Sequence, residues 1–165
     1  MEEDSREYPP WQYLYQISPN PALAFIRQAV ERNRQDLEDV RNTPFRKSVE
    51  AEKVLAYDMT QFGFWHSVTN RKYQALFRQG LNFEVDFFHS ELEIAVEIEK
   101  GEISNIWKNV CKFAESPVIR HGVLLVPIIR QGQNTSSEFY KNTIKRLKHM
   151  NKIFSFVDSF LVIGY

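Results

Sequence analysis

"EIAVEIEKGEISNIWKNVCKF", residues 93–113, sets the frame for the whole chain. It reads as a strand, a glycine and a helix in direct succession. Apolar and acidic side chains alternate from Glu93 to Glu99, and neighbouring side chains of a strand point to opposite faces. Leu92, Ile94, Val96 and Ile98 therefore share one face, while Glu93, Ala95, Glu97 and Glu99 share the other. Beyond Gly101, Ile103, Ile106, Trp107, Val110 and Ala114 recur at helical spacing until Pro117 stops the run.

The preceding stretch, "NFEVDFF" (82–88), alternates in the same way, which makes the two runs a hairpin. Phe83, Val85 and Phe87 fall on one side, with Glu84, Asp86 and Phe88 on the other. A loop of two or four residues would match the apolar faces and bring Glu84 and Asp86 alongside Glu97 and Glu99. Like charges opposed across strands are destabilising, so stability alone would not select this face. One reading is a face that simply meets water. The other is a face that holds a cation, because Ala95 and Phe88 imply partial cover. Covered carboxylates raise one another's pKa or recruit a positive charge. Asp86, Glu97 and Glu99, spaced D-x(10)-E-x-E, are then the candidate ligand set. Their oxygens suit a hard divalent ion such as Mg²⁺, with Mn²⁺ as a substitute. Such an ion lowers the pKa of a bound water and stabilises charge on a phosphoryl oxygen.

Working outward, residues 21–40 predict an amphipathic helix with Leu23, Phe25, Ile26, Val30 and Leu37 on its apolar side. Residues 43–62 predict a second helix, with Thr43 as N-cap, Pro44 in the first turn, and Val49, Val54, Leu55 and Met59 buried. Gly63–Gly80 reads as a connector in which "FWHSVTN" is strand-like and "RKYQALFRQ" helix-compatible. "GVLLVPII" (122–129) is a continuous apolar run, the pattern of a central strand covered on both sides. Residues 136–154 predict a helix with a basic face, and "SFLVIGY" (159–165) a last strand. A hairpin leading into strand–helix–strand crossovers predicts an α/β fold, a mixed central sheet with helices on both faces. Residues 1–165 read as one domain, with 1–10 loose and polar.

Composition narrows the function classes. A chain of 165 residues can bury a core without covalent staples. The single cysteine, Cys111, excludes a disulfide framework and reads as a buried thiol in the helix. The acidic N-terminus is unlike a signal peptide and no apolar run approaches membrane-span length, so a cytoplasmic setting is expected. His66, His89, His121 and His149 are scattered without zinc spacing and read as surface or core filler. Neither a phosphate-binding G-x-x-x-x-G-K-[ST] loop nor a G-x-S-x-G nucleophile elbow occurs.

"VDFFHSELEIAVEIEKGEISNIWKNVCKF" with "HGVLLVPI" resembles the core of PD-(D/E)xK nucleases, in particular the BglII/BamHI-like restriction endonucleases. The resemblance spans roughly residues 80 to 130. It implies a restriction-endonuclease-like fold, Mg²⁺-dependent hydrolysis of DNA phosphodiesters and often a homodimer. On this reading Asp86 matches the motif aspartate and Glu97 the first acid of E-x-E. Glu99 stands where most of the superfamily has lysine, and a glutamate can ligate metal or accept a proton but brings no positive charge. Lys108 and Lys112, one turn apart on the next helix, could each supply the missing cation. The catalytic set expected is Asp86, Glu97, Glu99 and Lys108, with Asp86 and Glu97 on the metal. Glu50 and Glu52 are both candidates for a further acid from an earlier helix.

A DNA substrate needs cations to meet its phosphates. Lys141, Lys145, Lys148 and Lys152 recur at i+4, i+3 and i+4 and would form one stripe on a continuous helix. Arg71, Lys72 and Arg78 form a second basic group. The formal net charge is zero, so any such surface must be local. An alternative is a nuclease fold that binds DNA without cutting it.

Overall fold

The computed structural model describes residues 8–132 and 134–165. The strands are β1 (Trp11–Gln16), β2 (Trp65–Val68), β3 (Val85–His89), β4 (Ile94–Ile98), β5 (His121–Val126), β6 (Arg130–Gln131), β7 (Ser136–Ser137) and β8 (Ser159–Gly164). The helices are α1 (Leu23–Arg32), α2 (Arg34–Asn42), α3 (Ser48–Gln61), α4 (Ile103–Glu115), α5 (Phe139–Leu147) and α6 (Asn151–Phe154). One mixed sheet runs β1-β8-β5-β4-β3-β2, and β6 and β7 form a small separate ribbon. The α/β architecture expected from the sequence is the one observed.

β3 and β4 pair antiparallel with His89 opposite Ile94, which leaves a four-residue hairpin loop. β4, β5 and β8 are parallel neighbours, joined through α4 and then through α5 and α6. Both crossovers step the same way across the sheet, so the right-handed rule places α4 and α5 on one face. Ile106, Val110, Phe113, Phe139, Leu147 and Phe154 pack there against Ala95, Leu124, Val126 and Val162. α1, α2 and α3 cover the other face, where Ile26, Val30, Leu55 and Met59 meet Val96, Val123, Leu125 and Leu161. Alternate residues of β5 thus enter two different cores, which is why its sequence shows no polar side.

Several expected boundaries move. The single helix over 21–40 is two, because the Asn33 side chain turns inward at the junction. Its amide Nδ2 donates to Ala29 O (2.9 Å) and to Asp58 Oδ2 (2.6 Å), so both segments pack on α3. Thr43 ends α2 rather than starting α3. Helix α3 begins at Ser48, where Lys47 N–H donates to Glu50 Oε2 (3.1 Å), and Val49 faces out. The helix over 136–154 is also two pieces, because the chain must bend to stack Phe154 on Phe160 (4.4 Å between ring centres) and enter β8. "FWHSVTN" does hold a strand, β2, whereas 71–80 forms turns. β1 lies in a segment for which no element was expected. Of the residues expected to be loose, 1–7 lie outside the described residues. Pro9 is buried, and Pro10 O accepts the Gly164 N–H (2.8 Å). Cys111 is exposed, because the buried stripe of α4 runs through Ile106, Asn109, Val110 and Phe113 and leaves position 111 outside.

Candidate active site

The face of β4 that alternation made acidic is not wet. Ala95 is fully buried, Glu97 is only 2% exposed and Glu99 is buried too, because α4 lies across them. β3 and β4 pair only from Phe87 to His89. Beyond that point the Asp86 side chain, not the backbone, serves the neighbouring strand: its Oδ2 accepts the Ile98 N–H at 2.7 Å. The period of β3 also breaks there. Val85 and Phe83 pack in the α4 layer and Phe87 in the α3 layer, so the three do not share the face expected of them.

These local features set Asp86 and Glu97 into one cleft of about 190 Å³ at the C-terminal end of β4. Glu99, Lys108, Asn109 and Lys112 line it as well. Lys112 reaches in from α4, and its Nζ donates to both Glu97 carboxylate oxygens, at 3.0 and 3.1 Å. Lys108, expected as the catalytic cation, stands exposed among the lining residues, so Lys112 is the ammonium in contact with the acids. Glu99 turns along its own chain. Its Oε1 accepts the N–H groups of Lys100 (2.9 Å), Gly101 (3.2 Å) and Glu102 (3.1 Å). Gly101 sits at φ +128°, a conformation open to glycine, and this lets the three N–H groups converge.

Two contributors were not singled out by the sequence. The first is Glu52 of α3, one of two open candidates; it is buried and hydrogen-bonded to the Asp86 carboxyl. Glu50 instead pairs with Arg46 (2.8 Å) at the start of the helix. The second is His66 of β2, whose Nε2 lies 3.3 Å from Glu52 Oε2. No motif marks His66; only the β2–β3 pairing brings it there.

Electrostatics follow from crowding. Burial, and then the negative charge of Glu52, push the Asp86 carboxyl up to about 7. Burial and then Asp86 hold Glu97 well above the usual carboxylate range, against the pull of Lys112. Burial and the charge of Glu84 raise Glu52, and its hydrogen bond with Asp86 opposes them. Burial lowers His66, although the Asp86 charge favours its protonated form. The site therefore holds more negative charge than one ammonium balances, and it keeps protons as a result.

That imbalance fits a divalent cation. Hard oxygen donors from Asp86 and Glu97, with Glu52 beside them, are the donor chemistry that Mg²⁺ or Mn²⁺ prefers. Among the described residues, no three His, Cys, Asp or Glu side chains gather into a complete metal cluster.

The lysine stripe expected to bind DNA lies elsewhere. Lys141, Lys145 and Lys148 line a shallow groove with Gln12 of the edge strand β1, and Lys152 is on the separate helix α6. None of the four lines the carboxylate cleft.

A sequence profile described as "Putative halobacteria restriction endonuclease" matches residues 1–165. The chain belongs to this family. No curated protein matches the sequence. Among solved structures, this restriction-endonuclease family member is similar in fold to the restriction endonuclease BglII complexed with a DNA 16-mer. The TM-score is 0.54 at 8% identity, over 96% of this chain and 78% of that one. At that identity the likeness concerns the fold, and it agrees with the α/β sheet described above.

Proposed function

We propose that the protein is a divalent-metal-dependent endonuclease that hydrolyses DNA phosphodiester bonds. The observation that carries this reading is the meeting of Asp86 and Glu97 in one cleft beside Lys112, with Glu52 of α3 next to Asp86 behind it. Buried acids crowded around a single ammonium cost folding energy, and such clusters are enriched at functional sites. Family membership and fold point to the same class.

Asp86 and Glu97 would hold the metal, with Glu52 as a further acid. When bound, Mg²⁺ supplies a more acidic water and neutralises charge on the phosphoryl oxygens. The chain's own groups do the rest. Asp86 keeps its place through the Ile98 N–H, which orients the carboxylate across the strand gap. Lys112 sits where an ammonium can stabilise extra negative charge on a substrate phosphate. His66, held below its ordinary pKa by burial and 3.3 Å from Glu52, is placed to take a proton. Glu99 fixes the turn that starts α4 and so the placement of Lys112.

The test is incubation of supercoiled plasmid with purified protein and Mg²⁺ or Mn²⁺. Metal-dependent nicking that is lost in Asp86→Asn and Glu97→Ala supports the proposal; nicking that survives both overturns it. A second reading, a DNA-binding module of nuclease fold that no longer cuts, draws on Glu99 being engaged by backbone N–H groups where a lysine is usual. Salt-sensitive duplex binding without metal-dependent cutting would favour it. The homodimer implied by the resemblance is checked by light scattering of the purified chain.

A further inference from the structure

The carboxylate cleft opens beside a larger one of about 680 Å³. Ser48, Glu99 and Asn105 line both, so the two adjoin. Arg41, Arg46, Lys47, Lys100 and Arg130 line the larger cleft, against Glu99 and Glu102. Glu99, Glu102 and Glu50, which pairs with Arg46 at 2.8 Å, offset three of these five charges, and the wall next to the acids keeps a net positive charge.

The wall is built rather than incidental. Lys100 Nζ donates to Thr43 O at 2.8 Å and ties the loop before α3 to the end of β4. Arg41 Nη1 donates to Tyr165 O at 3.0 Å. Arg130 lies over Gly101, where a Cβ would come within 2.9 Å of its side chain, and it pairs with Glu102 at 2.9 Å in an exposed, exchangeable contact. The tied loop presents Phe45, which is 84% exposed and held at φ 67°. A bulky residue at positive φ with its ring in water opposes both backbone preference and burial, and such conformations cluster at functional positions.

We propose that this cleft holds the phosphate backbone of the DNA strand delivered to the carboxylates, and that Phe45 stacks against one of its bases. The proposal rests on the endonuclease reading for its substrate class. Cations at a fixed wall neutralise phosphates, and an exposed aromatic at the lip offers a sequence-tolerant platform for a base. The lysine groove of α5 shares no lining residue with the carboxylate cleft, and its aromatic, Tyr140, is buried.

Anisotropy of a short labelled DNA duplex with a single-stranded overhang, whose bases are free to stack, titrated with the full chain in EDTA over a salt series, tests this without any cleavage. Lys47→Ala and Arg130→Ala should each reduce the slope of log affinity against log salt by about 0.9, the value of one phosphate contact. Phe45→Ala should weaken binding by about tenfold at unchanged slope, as expected for a lost base stack. Lys145→Ala with Lys148→Ala should leave both quantities alone. Circular dichroism melts of each variant confirm folding. Binding unaffected by the three cleft variants, a loss confined to the α5 pair, or no duplex binding at low salt overturns the proposal. A wild-type protein that binds through the cleft but never cuts with Mg²⁺ refutes the endonuclease reading alone.

Discussion

Lys112 of α4 donates to both carboxylate oxygens of Glu97 on β4, at 3.0 and 3.1 Å, between the helix and the sheet. The bond joins the acidic strand to the helix that follows it, and it places a cation among crowded acids. Removing it leaves a buried charge. Lys112→Met is expected to cost about 3–5 kcal/mol, the usual range for breaking a buried pair. The loss should be greatest at alkaline pH and smaller in acid, where Glu97 takes a proton. Exposed Lys108→Met should stay within about 0.5 kcal/mol of wild type. Urea unfolding at pH 5 and pH 8 measures both; equal effects of the two substitutions would refute the assignment of Lys112.

If Lys112 stands where a metal's charge would act, a divalent cation should compensate for its loss. Mn²⁺ is expected to raise the melting temperature of Lys112→Met more than that of wild type, because a ligand bound only by the native state stabilises it. Asp86→Asn in the same background should abolish the gain. Differential scanning fluorimetry reads all three proteins.

Asp86 gives the stability a defined pH dependence. Its carboxyl is raised from 3.8 to about 7, so the native state keeps a proton that the unfolded chain releases. This contribution is fully present below about pH 4 and disappears as pH rises through 7, at a limiting slope of about 1.4 kcal/mol per pH unit. In the absence of divalent cations, wild-type unfolding free energy should carry this downward component across pH 4–7. Asp86→Asn should remove it. Matching slopes for the two proteins would count against the raised carboxyl.

Tyr165 supports the site from behind. Its buried hydroxyl donates to the main-chain carbonyl of Glu99 at 3.1 Å. Tyr165→Phe leaves that carbonyl without this donor and should cost about 1 kcal/mol. Amide exchange at Lys100, Gly101 and Glu102 should quicken beyond what that global loss accounts for, because the turn they share with Glu99 loosens.

Gly122 of β5 lies directly against the Phe113 ring of α4. A Cβ there would lie 2.5 Å from Cδ2 of Phe113. Gly122→Ala is expected to destabilise by about 1–3 kcal/mol through overpacking. Phe113→Leu should then be less harmful in the Gly122→Ala background than alone, which a double-mutant cycle of unfolding energies would show.

The sequence by itself determined the sheet's centre. Period-two alternation in 92–98, the unbroken apolar run at 122–129 and the helical spacing after Gly101 are local patterns that survive folding, so β4, β5 and α4 were legible; alternation in 82–88 located β3 but not its faces, because its period breaks at Asp86. Asp86 and Glu97 were legible because a hairpin's register is short-range. Tertiary structure decided what local pattern could not. Glu52 and His66 come beside Asp86 only because α3 packs on β2 and β4 and β2 pairs with β3, at separations that no spacing encodes. The choice of Lys112 over Lys108 depends on the rotation of α4, set by Ile106, Val110 and Phe113 entering the core. Asn33 split one amphipathic run because its amide found Asp58 on a distant helix. Periodicity reports which side of an element is apolar; which side chains meet is fixed by how the buried sides of different elements share one core.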